Sequence, residues 1–462
     1  MSQRRPLRTL TDEPALAAAL RSHGLEAAAA AQKAALVARA AGSLLSVGAD
    51  PAAPARVWLV PGRVEVLGKH TDYAGGRSLI AAVERGFCML AQGLAGPQVH
   101  VLSADLGEQA LFDLSADLSP QTGHWTNYPM TVARRLARNF PQSRRGAMLA
   151  VSSDLPAAAG VSSSSAFVVA MFLALSAVND LPASEPYRRN VDSPEALSEY
   201  LGTVENGRGF RQLAGDRGVG TFGGSEDHTA ILCCRAGMLS QYGFCPLRLE
   251  RCIALPDDLA LGIASSGVRA EKTRGTREKF NRASYLASAV VEAWNRATGR
   301  ADATMGDMLA AAGPQGAGRI RQVLDGDAGE GPFPAAELLR RFEHFHAENE
   351  QIIPAAGDAL AAGDLEAFGR LVERSQRGAE QLLGNQVDET IFLARSAGQC
   401  GALAASAFGA GFGGSVWALF RRPRAEEQLA AWRAAYRQAF PAVADHANFF
   451  LTRPGPAAFE LD

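Results

Sequence analysis

Three features that would point to a membrane, nucleic-acid-binding or disulfide-stabilised protein are missing from this sequence. No apolar run reaches the roughly 18 residues that a membrane-spanning helix needs. The 46 basic and 48 acidic residues leave a formal net charge of −2, which gives no electrostatic basis for binding nucleic acid or an anionic membrane. The six cysteines show no CxxC pair and no regular spacing, which favours free thiols over disulfides or a metal site. We therefore expect a soluble cytoplasmic protein with no nucleic-acid or membrane partner.

Lysine is scarce as well. Of the 46 basic residues only four are lysines, namely Lys33, Lys69, Lys272 and Lys279. A chain that otherwise uses arginine gives up a planar hydrogen-bonding fork when it places a compact ammonium group instead. A lysine inside a functional motif is therefore expected to carry chemistry of its own.

Two common nucleotide-binding signatures are also absent. No GxxxxGK[ST] sequence occurs, which excludes a P-loop kinase. Residues 218–223 and 409–414 both match GxGxxG, but the dinucleotide fingerprint needs a strand before it and a helix after it. The first match follows a Gly-Asp-Arg sequence and the second runs into a predicted strand. Neither predicts a Rossmann fold.

The length of 462 residues indicates two domains of about 200 residues each. The alanine-rich residues 14–47 predict an amphipathic helix on the outside of the first domain. Residues 57–115 predict a sheet, residues 229–234 a strand, and the Gly-, Pro- and Asp-rich residues 312–333 a surface loop. The expected division is a helical extension over 1–50, an N-terminal domain over 51–230 and a C-terminal domain over 231–462.

The most informative motif runs from Pro61 to Gly76. Apolar residues on both sides of Pro61-Gly62 predict a strand, a turn and a second strand, which ends in Gly-Lys-His-Thr-Asp at residues 68–72. A fixed backbone that presents arginine, histidine and aspartate together suits a polyhydroxylated ligand. The alternative is a hairpin end with solvated charges.

Two further motifs are rich in small residues. Leu155–Ala166 contains four consecutive serines immediately before an apolar helix, an arrangement that favours binding of a phosphate or Mg²⁺. Its alternative is a serine-capped helix. Phe408–Ser415 contains glycines on both sides of a phenylalanine and precedes a predicted strand, so it could equally form a tight hairpin.

Together the three motifs resemble those of galactokinases, the sugar-phosphorylating branch of the GHMP kinase superfamily. The resemblance covers about residues 40–462. It implies an α+β fold of two domains with the active site in the cleft between them. The implied activity is ATP-dependent phosphorylation of the anomeric hydroxyl of a sugar, with ATP and Mg²⁺ as cofactors and a monomer or weak homodimer as the assembly.

The resemblance also implies roles for individual residues. Asp227 would orient or deprotonate the attacking hydroxyl, and Arg63 would keep Asp227 ionised and neutralise charge on the γ-phosphate. Ser164 and Glu205 would bind Mg²⁺, although about ten more residues than the family pattern has separate Glu205 from Asp227. The residues implied for ATP binding are Trp125, Gly160, Ser162, Ser163, Ser164, Gly411 and Gly413. Without the resemblance, Asp227 would be a loop acid that caps the next strand, and Trp125 a half-buried helix aromatic.

The sugar would contact His70, Asp72, Gly224 and Phe280, and position 69 would face its C6 end. The family has Glu at position 69, Asn at 65, Gln at 228 and Tyr at 280, where this chain has Lys69, Glu65, His228 and Phe280. Lys69 would pair with a carboxylate, so one hypothesis is a substrate altered at C6, such as a uronic acid. The other is that Lys69 pairs with Glu65 and galactose is retained. A different class also stays open, namely a sugar- and ATP-binding regulator with weak catalysis.

Overall fold

The structure is a computed structural model that describes residues 5–23, 25–121, 123–156, 160–268, 274–326 and 331–461. The strands of the described chain are β1 (Arg5–Pro6), β2 (Pro54–Leu67), β3 (Arg77–Gly93), β4 (Gln98–Ser103), β5 (Glu108–Asp113), β6 (Ala147–Ser153), β7 (Met238–Gly243), β8 (Arg248–Ala254), β9 (Leu259–Ser265), β10 (Ala404–Phe408), β11 (Ser415–Arg421), β12 (Asn448–Thr452) and β13 (Phe459–Leu461).

The helices are α1 (Glu13–Ser22), α2 (Ala27–Ser46), α3 (Asn127–Asn139), α4 (Ser163–Val178), α5 (Glu185–Asn190), α6 (Pro194–Asn206), α7 (Glu226–Cys233), α8 (Arg274–Thr298), α9 (Met305–Ala312), α10 (Gly316–Asp325), α11 (Ala335–His346), α12 (Ile353–Ala361), α13 (Leu365–Gly378), α14 (Asp388–Gln399) and α15 (Ala425–Ala439). Two π-helical segments, Ala347–Ile352 and Ala379–Leu383, follow α11 and α13. No helix among the described residues is both long and apolar enough to span a bilayer.

The larger sheet is built around the long strands β2 and β3. Its path runs β1-β2-β3-β6-β4-β5, while β13 adds to β2 and β7 pairs with both β3 and β8. Both long strands are almost wholly buried, because helices α3, α4 and α6 cover one face of the sheet and α1 and α2 the other. The predicted sheet over 57–115 is thus confirmed.

Strand β2 does not turn at Pro61-Gly62 as expected. It continues to Leu67 and shifts register against β3 between Pro61 and Arg63. Across this shift β2 advances from Pro61 to Arg63 while β3 advances from Ala82 to Gly86, so the extra residues lie in β3. Gly62 is required there, because a Cβ at this position would lie 2.8 Å from the Val161 carbonyl oxygen. The Arg63 amide donates to that same carbonyl oxygen at 3.2 Å, which holds Arg63 against the segment that precedes α4.

The N-terminal region forms two helices where one was expected. Asp12 caps α1 by accepting a hydrogen bond from the Ala15 amide at 3.1 Å, and α1 ends at Ser22. A second helix begins at Ala27. Both helices bury leucines against the larger sheet, so the segment covers the first domain as the sequence indicates.

The smaller sheet has the order β10-β11-β9-β12, and all its neighbours are antiparallel. Helices α12 and α13 pack on one face and α14 and α15 on the other. The whole is the expected α+β architecture. The division at residues 230 and 231 stays a prediction, and the pairing of β7 with β3 places residues 238–254 in the larger sheet.

Two local predictions are wrong. Residues 229–234 belong largely to helix α7 instead of a strand, and α10 occupies the middle of the expected loop at 312–333. A short apolar run such as Ala230-Ile231-Leu232 has no periodicity that separates helix from strand. The six cysteines are all free, as expected.

Candidate active site

The centre of the site is a buried arginine paired with a partly exposed aspartate. Arg63 Nε donates a 2.6 Å hydrogen bond to Asp227 Oδ1, and Arg63 Nη1 donates one of 2.6 Å to the Gly160 carbonyl oxygen. Only 5% of the Arg63 side chain is exposed, against 31% of Asp227. Asp227 is the second residue of α7 and lies in its first turn. Arg63 thus joins the aspartate to the segment before α4.

The ionisation of Asp227 follows from these contacts. Burial is the largest effect and opposes loss of the proton, but the charge of Arg63 and the hydrogen bonds from Ser162 and Arg63 together outweigh it and hold the pKa of Asp227 below its usual value. Ser165 Oγ also donates to Asp227 Oδ2 at 3.2 Å. Asp227 is therefore a carboxylate at neutral pH.

The serine segment, residues 160–165, leads into α4 as the sequence predicts; residues 157–159 of the same motif lie outside the described residues. Ser162 takes a left-handed conformation with a φ of 59° and makes no capping hydrogen bond to α4. Its hydroxyl is buried and lies beside Asp227, whose pKa it helps to lower. Ser163 and Ser164 are half-buried in the first turn of α4. The capping alternative therefore does not apply to Ser162.

The glycine segment, residues 409–414, lies against the serine segment. A Cβ on Gly160, whose φ is 69°, would lie 3.4 Å from the Gly414 Cα. Gly411 and Gly413 also have positive φ, of 79° and 122°, and a Cβ on Gly411 would meet the Asn385 carbonyl oxygen at 2.3 Å. Glycine is needed here for conformation and for close approach. Two motifs 250 residues apart in the chain thus form one backbone-lined wall.

Trp125 lies just before the start of α3, and Glu205 lies in the last turn of α6. Trp125 is half-buried, with its ring 6.3 Å from that of Phe167. Glu205 Oε1 is buried without a hydrogen-bond partner among the described residues. The nearest basic group to that oxygen is His228 Nε2, at 3.8 Å. No group of three or more His, Cys, Asp or Glu side chains in the described chain could hold a metal.

The 68–76 loop, which joins β2 to β3, carries Asp72 to the start of α7. Asp72 Oδ2 accepts a 3.2 Å hydrogen bond from the Glu226 amide. A Cβ on Gly224 would lie 2.3 Å from the same oxygen, so only glycine fits there. Gly224 therefore allows Asp72 to approach α7. Burial raises the pKa of Asp72.

The His70 imidazole is fixed at both nitrogens. Ala410 offers only a carbonyl oxygen to Nε2, at 3.2 Å, so Nε2 carries the proton and Nδ1 accepts from the Tyr73 hydroxyl at 2.7 Å. Burial and the Arg341 charge lower the pKa of His70 to about 4, so the ring is neutral. The Phe280 ring stands 5.3 Å away. His70 thus links the 68–76 loop to the glycine segment.

The hydrogen bonds of Lys69 lie in the C-terminal half of the molecule, and the hypothesis of a substrate altered at C6 stays a prediction. The Lys69 ammonium is fully buried and donates to Ser406 Oγ at 2.8 Å and to Ser375 Oγ at 3.2 Å. Among the described residues no carboxylate lies within the 4.0 Å of an ion pair with Lys69. Glu65 instead accepts from the Gly409 amide at 3.3 Å. The direct Lys69–Glu65 pair is therefore absent.

Several site residues escaped the sequence reasoning. Glu226 accepts from Ser78 Oγ at 2.6 Å, and burial together with Glu65 and Asp72 raises its pKa well above the usual value. Arg341 Nη2 donates to the His70 carbonyl oxygen at 2.6 Å. Glu226 could have been found as the neighbour of Asp227. Arg341 gave no signal, because nothing near it in the sequence marks an arginine on an amphipathic helix as a site residue.

Comparisons with known proteins can now be set beside this geometry. Three family models match: the galactokinase galactose-binding signature over residues 47–92, the GHMP kinases N terminal domain over 127–198 and the GHMP kinases C terminal over 358–438. They contain all three motifs in order.

Curated relatives extend the match over most of the chain. The galactokinase of Chloroflexus aggregans is 29% identical over 388 residues, which cover 83% of this chain and 88% of the relative. That of Haemophilus influenzae is 26% identical over 374 residues, covering 78% and 83% respectively. The chain is a galactokinase-like enzyme of the GHMP kinase superfamily.

Solved structures agree on the fold. Lactococcus lactis galactokinase, solved with galactose, matches with a TM-score of 0.71 at 22% identity over 90% of this chain and 98% of that one. Methanococcus jannaschii mevalonate kinase matches with a TM-score of 0.52 at 13% identity. The expected two-domain GHMP kinase fold is thus confirmed. Asp227, Gly224, Glu205 and Phe280 lie outside the matched family models, and the roles of all the predicted site residues stay predictions.

Proposed function

We propose that this enzyme transfers the γ-phosphoryl group of ATP to the anomeric (C1) hydroxyl of galactose or a close relative. The observation that carries the proposal is the position of Asp227. Arg63 links its carboxylate to the serine segment, and the Glu226 amide links its helix to Asp72. A hydroxyl held beside Asp227 would therefore face a phosphate held at the N-terminus of α4.

In this reaction the sugar oxygen forms a bond to the γ-phosphorus, the bond from that phosphorus to the bridging oxygen breaks, and ADP leaves. Asp227 accepts a hydrogen bond from the attacking hydroxyl and receives its proton. A carboxylate whose pKa is held low is a weak base, so transfer is expected late, when the new bond has already made the hydroxyl acidic. Arg63 offsets negative charge on the transferred group.

The chemistry of the donors fits Mg²⁺, which prefers oxygen ligands and keeps waters and phosphate oxygens in its shell. Glu205 supplies a buried carboxylate oxygen without a hydrogen-bond partner among the described residues, and Ser164 supplies a hydroxyl in the first turn of α4. We infer that these two residues would hold the ion. When bound, it would offset charge on the ATP phosphates.

Galactose is favoured over a sugar acid because the Lys69 ammonium is buried and directed at two serines. The wall at the serine segment, with Arg63 and Asp227 in place, favours an enzyme over a regulator. We infer that His70, Asp72, Gly224 and Phe280 form the sugar end, and that Trp125, Ser162, Ser163, Gly411 and Gly413 form the nucleotide end.

The test is ADP release with Mg·ATP on galactose, galacturonate, glucuronate, arabinose, fucose, mannose and N-acetylgalactosamine. We expect turnover on galactose and a product whose phosphorus couples to the C1 proton by NMR. The Asp227→Asn variant should lose about 10³-fold in kcat. Asp216→Asn is a matched control. Asp216 lies in the segment between α6 and α7, just before the helix of Asp227, and it also pairs with an arginine, Arg134, at 2.7 Å.

Each failure has a distinct meaning. Turnover confined to an acidic sugar would mean that this sugar, and not galactose, is the substrate. Phosphorylation at another hydroxyl would overturn the C1 assignment. Binding of ATP and galactose without ADP release on any sugar would mean that the protein is a regulator and not an enzyme.

A further inference from the structure

The hydrogen bonds of Lys69 lead out of the 68–76 loop into the C-terminal half. The two acceptors belong to α13 and β10 of the C-terminal half, 306 and 337 residues away in the chain. Asp72, three residues later, contacts the Glu226 amide on the N-terminal side. The two side chains therefore hold the 68–76 loop from opposite sides.

The acceptors of Lys69 are themselves held in a directional chain. The Ser406 hydroxyl accepts from Lys69 and donates to Gln376 Oε1 at 3.1 Å, and the same oxygen accepts from the Ala407 amide at 2.9 Å. Gln376 and Ser375 lie on the last turn of α13, just before the π-helical segment Ala379–Leu383. Such segments are common at functional sites. The ammonium is thus bound to a rigid corner of the C-terminal half.

Two buried carboxyl groups lie around this ammonium. Glu65 Oε1 is buried without a hydrogen-bond partner among the described residues, and Glu348 is buried with the Ser375 hydroxyl and the Gly68 amide beside it. Burial raises the pKa of each carboxyl group, and the Lys69 charge opposes that rise in both. Unpaired buried carboxylates are costly, so the ammonium serves as their shared counter-charge.

Other contacts from the C-terminal half hold the same stretch of chain. Arg341 donates to the His70 carbonyl oxygen, Trp417 Nε1 to the Val66 carbonyl oxygen at 3.1 Å, and the Gly409 amide to Glu65. All three contacts are made from the C-terminal half, one of them by the Arg341 guanidinium, whereas the Lys69 ammonium reaches from the 68–76 loop into the C-terminal half.

We propose that Lys69 is a positioning residue, an ammonium anchor that fixes the 68–76 loop to the C-terminal half and thereby sets the affinity of the sugar end without contacting the sugar. Its effect on sugar affinity rests on the proposed function. Its effect on the loop does not. The family resemblance would place this position against the sugar, and in this chain the buried contacts give it a different task.

The test compares Lys69→Met with Lys33→Met. Lys33 is the matched control, since it is also buried and bonded, to Asp154 at 2.6 Å, but it lies on α2 away from the loop. In Lys69→Met we expect the KM and the calorimetric Kd for galactose to rise about tenfold, a size typical of coupling in a buried network, with kcat and the KM for ATP within about twofold. Lys33→Met should lower stability and leave the galactose KM unchanged.

Two companion variants keep the test sharp if Lys69→Met folds poorly. Adding Glu348→Gln to Lys69→Met removes a buried carboxylate that no longer has the Lys69 charge beside it, and should recover part of the lost galactose affinity. Ser406→Ala removes one acceptor and should raise the galactose KM about threefold, since it deletes a single hydrogen bond to a charged group in part compensated by Ser375. An unchanged KM in both Lys69→Met and Ser406→Ala would overturn the anchor.

Amide hydrogen exchange separates this inference from the proposed function. Exchange in residues 68–76 should accelerate in Lys69→Met and not in Lys33→Met, whether or not any sugar is turned over. If the loop exchanges alike in both, the anchor is wrong even when the wild type is an active galactokinase. If Lys69→Met shifts preference from galacturonate to galactose, Lys69 contacts the substrate and the proposal fails.

Discussion

The two proposed ends of the active site, for the nucleotide and for the sugar, are built in different ways. At the nucleotide end, the serine and glycine segments meet backbone to backbone, through residues with positive φ such as Gly160 and Gly413. At the sugar end, side chains do the positioning, since His70 and Lys69 both reach the opposite half of the molecule. A backbone-built wall is sensitive to any added Cβ. A side-chain network is sensitive to lost charge and hydrogen bonding.

Arg63 joins the two ends, so among the variants described below its conservative replacement should have the largest effect on kcat. In Arg63→Lys the ammonium cannot contact Asp227 and the Gly160 carbonyl oxygen with a planar fork, and we expect kcat to fall by about 10²-fold or more. The control is Arg56→Lys, on the same strand, where Arg56 makes a forked pair with Glu460 at 2.6 Å. Stopped-time assays of ADP should find that the kcat of Arg56→Lys is near that of the wild type. Equal losses would mean that the two ends are not joined through Arg63.

Glu65 should make stability depend on pH. Burial raises its pKa to about 7, against the opposing charges of Lys69 and Arg63. Because the folded protein then binds more protons than the unfolded chain between about pH 4.5 and 7, the free energy of unfolding should fall as the pH rises through that window. Between pH 5 and 7, we expect the fall in the free energy of unfolding to be about 2 kcal/mol smaller in Glu65→Gln than in the wild type.

Urea unfolding at a series of pH values measures this slope. Glu427→Gln is the control, since Glu427 is exposed and Arg424 lowers its pKa, so it does not titrate in that window. A slope unchanged by Glu65→Gln would show that Glu65 is ionised throughout and that the sugar end holds its charges differently.

Gly224→Ala should raise the KM for galactose and leave the KM for ATP unchanged. The new Cβ would lie 2.3 Å from Asp72 Oδ2, so the carboxylate or α7 must move, and we expect the galactose KM to rise about tenfold. Gly223→Ala is a closely matched control, because its Cβ would meet only the Phe280 ring at 3.7 Å. Steady-state kinetics with each substrate varied in turn decide the point. A rise in the ATP KM instead would break the division into two ends.

Gly160→Ala should have the smallest effect, and at the nucleotide end. Its positive φ costs alanine about 1 kcal/mol, and the new Cβ would press on Gly414, so the KM for ATP should rise about fivefold. Gly107 has a similar φ of 67° with nothing within 4 Å, so Gly107→Ala carries the same backbone strain without the contact. An equal ATP KM in the two variants would mean that the contact between segments does not shape the nucleotide end.

The sequence predicted most regular elements whose patterns were long. Helix α4 occurs where expected because its apolar run follows a clear serine signal. The continuation of β2 through Pro61-Gly62 and the helix at 226–233 were missed. Pro61-Gly62 is a turn signal in isolation, but in the folded chain Gly62 packs against Val161 and β2 runs on to Leu67. The short run after Asp227 has no period of its own.

What the sequence alone determined is the family, the order of the three motifs and the residue types of the site. Those follow from local patterns, since a glycine segment or a serine segment keeps its chemistry wherever it lies. What only the tertiary structure decided is which groups meet. Lys69 reaches Ser375 and Ser406 across more than 300 residues, and no local pattern records such a partner. A charge takes its role from its burial and its neighbours, and these exist only once the chain has folded.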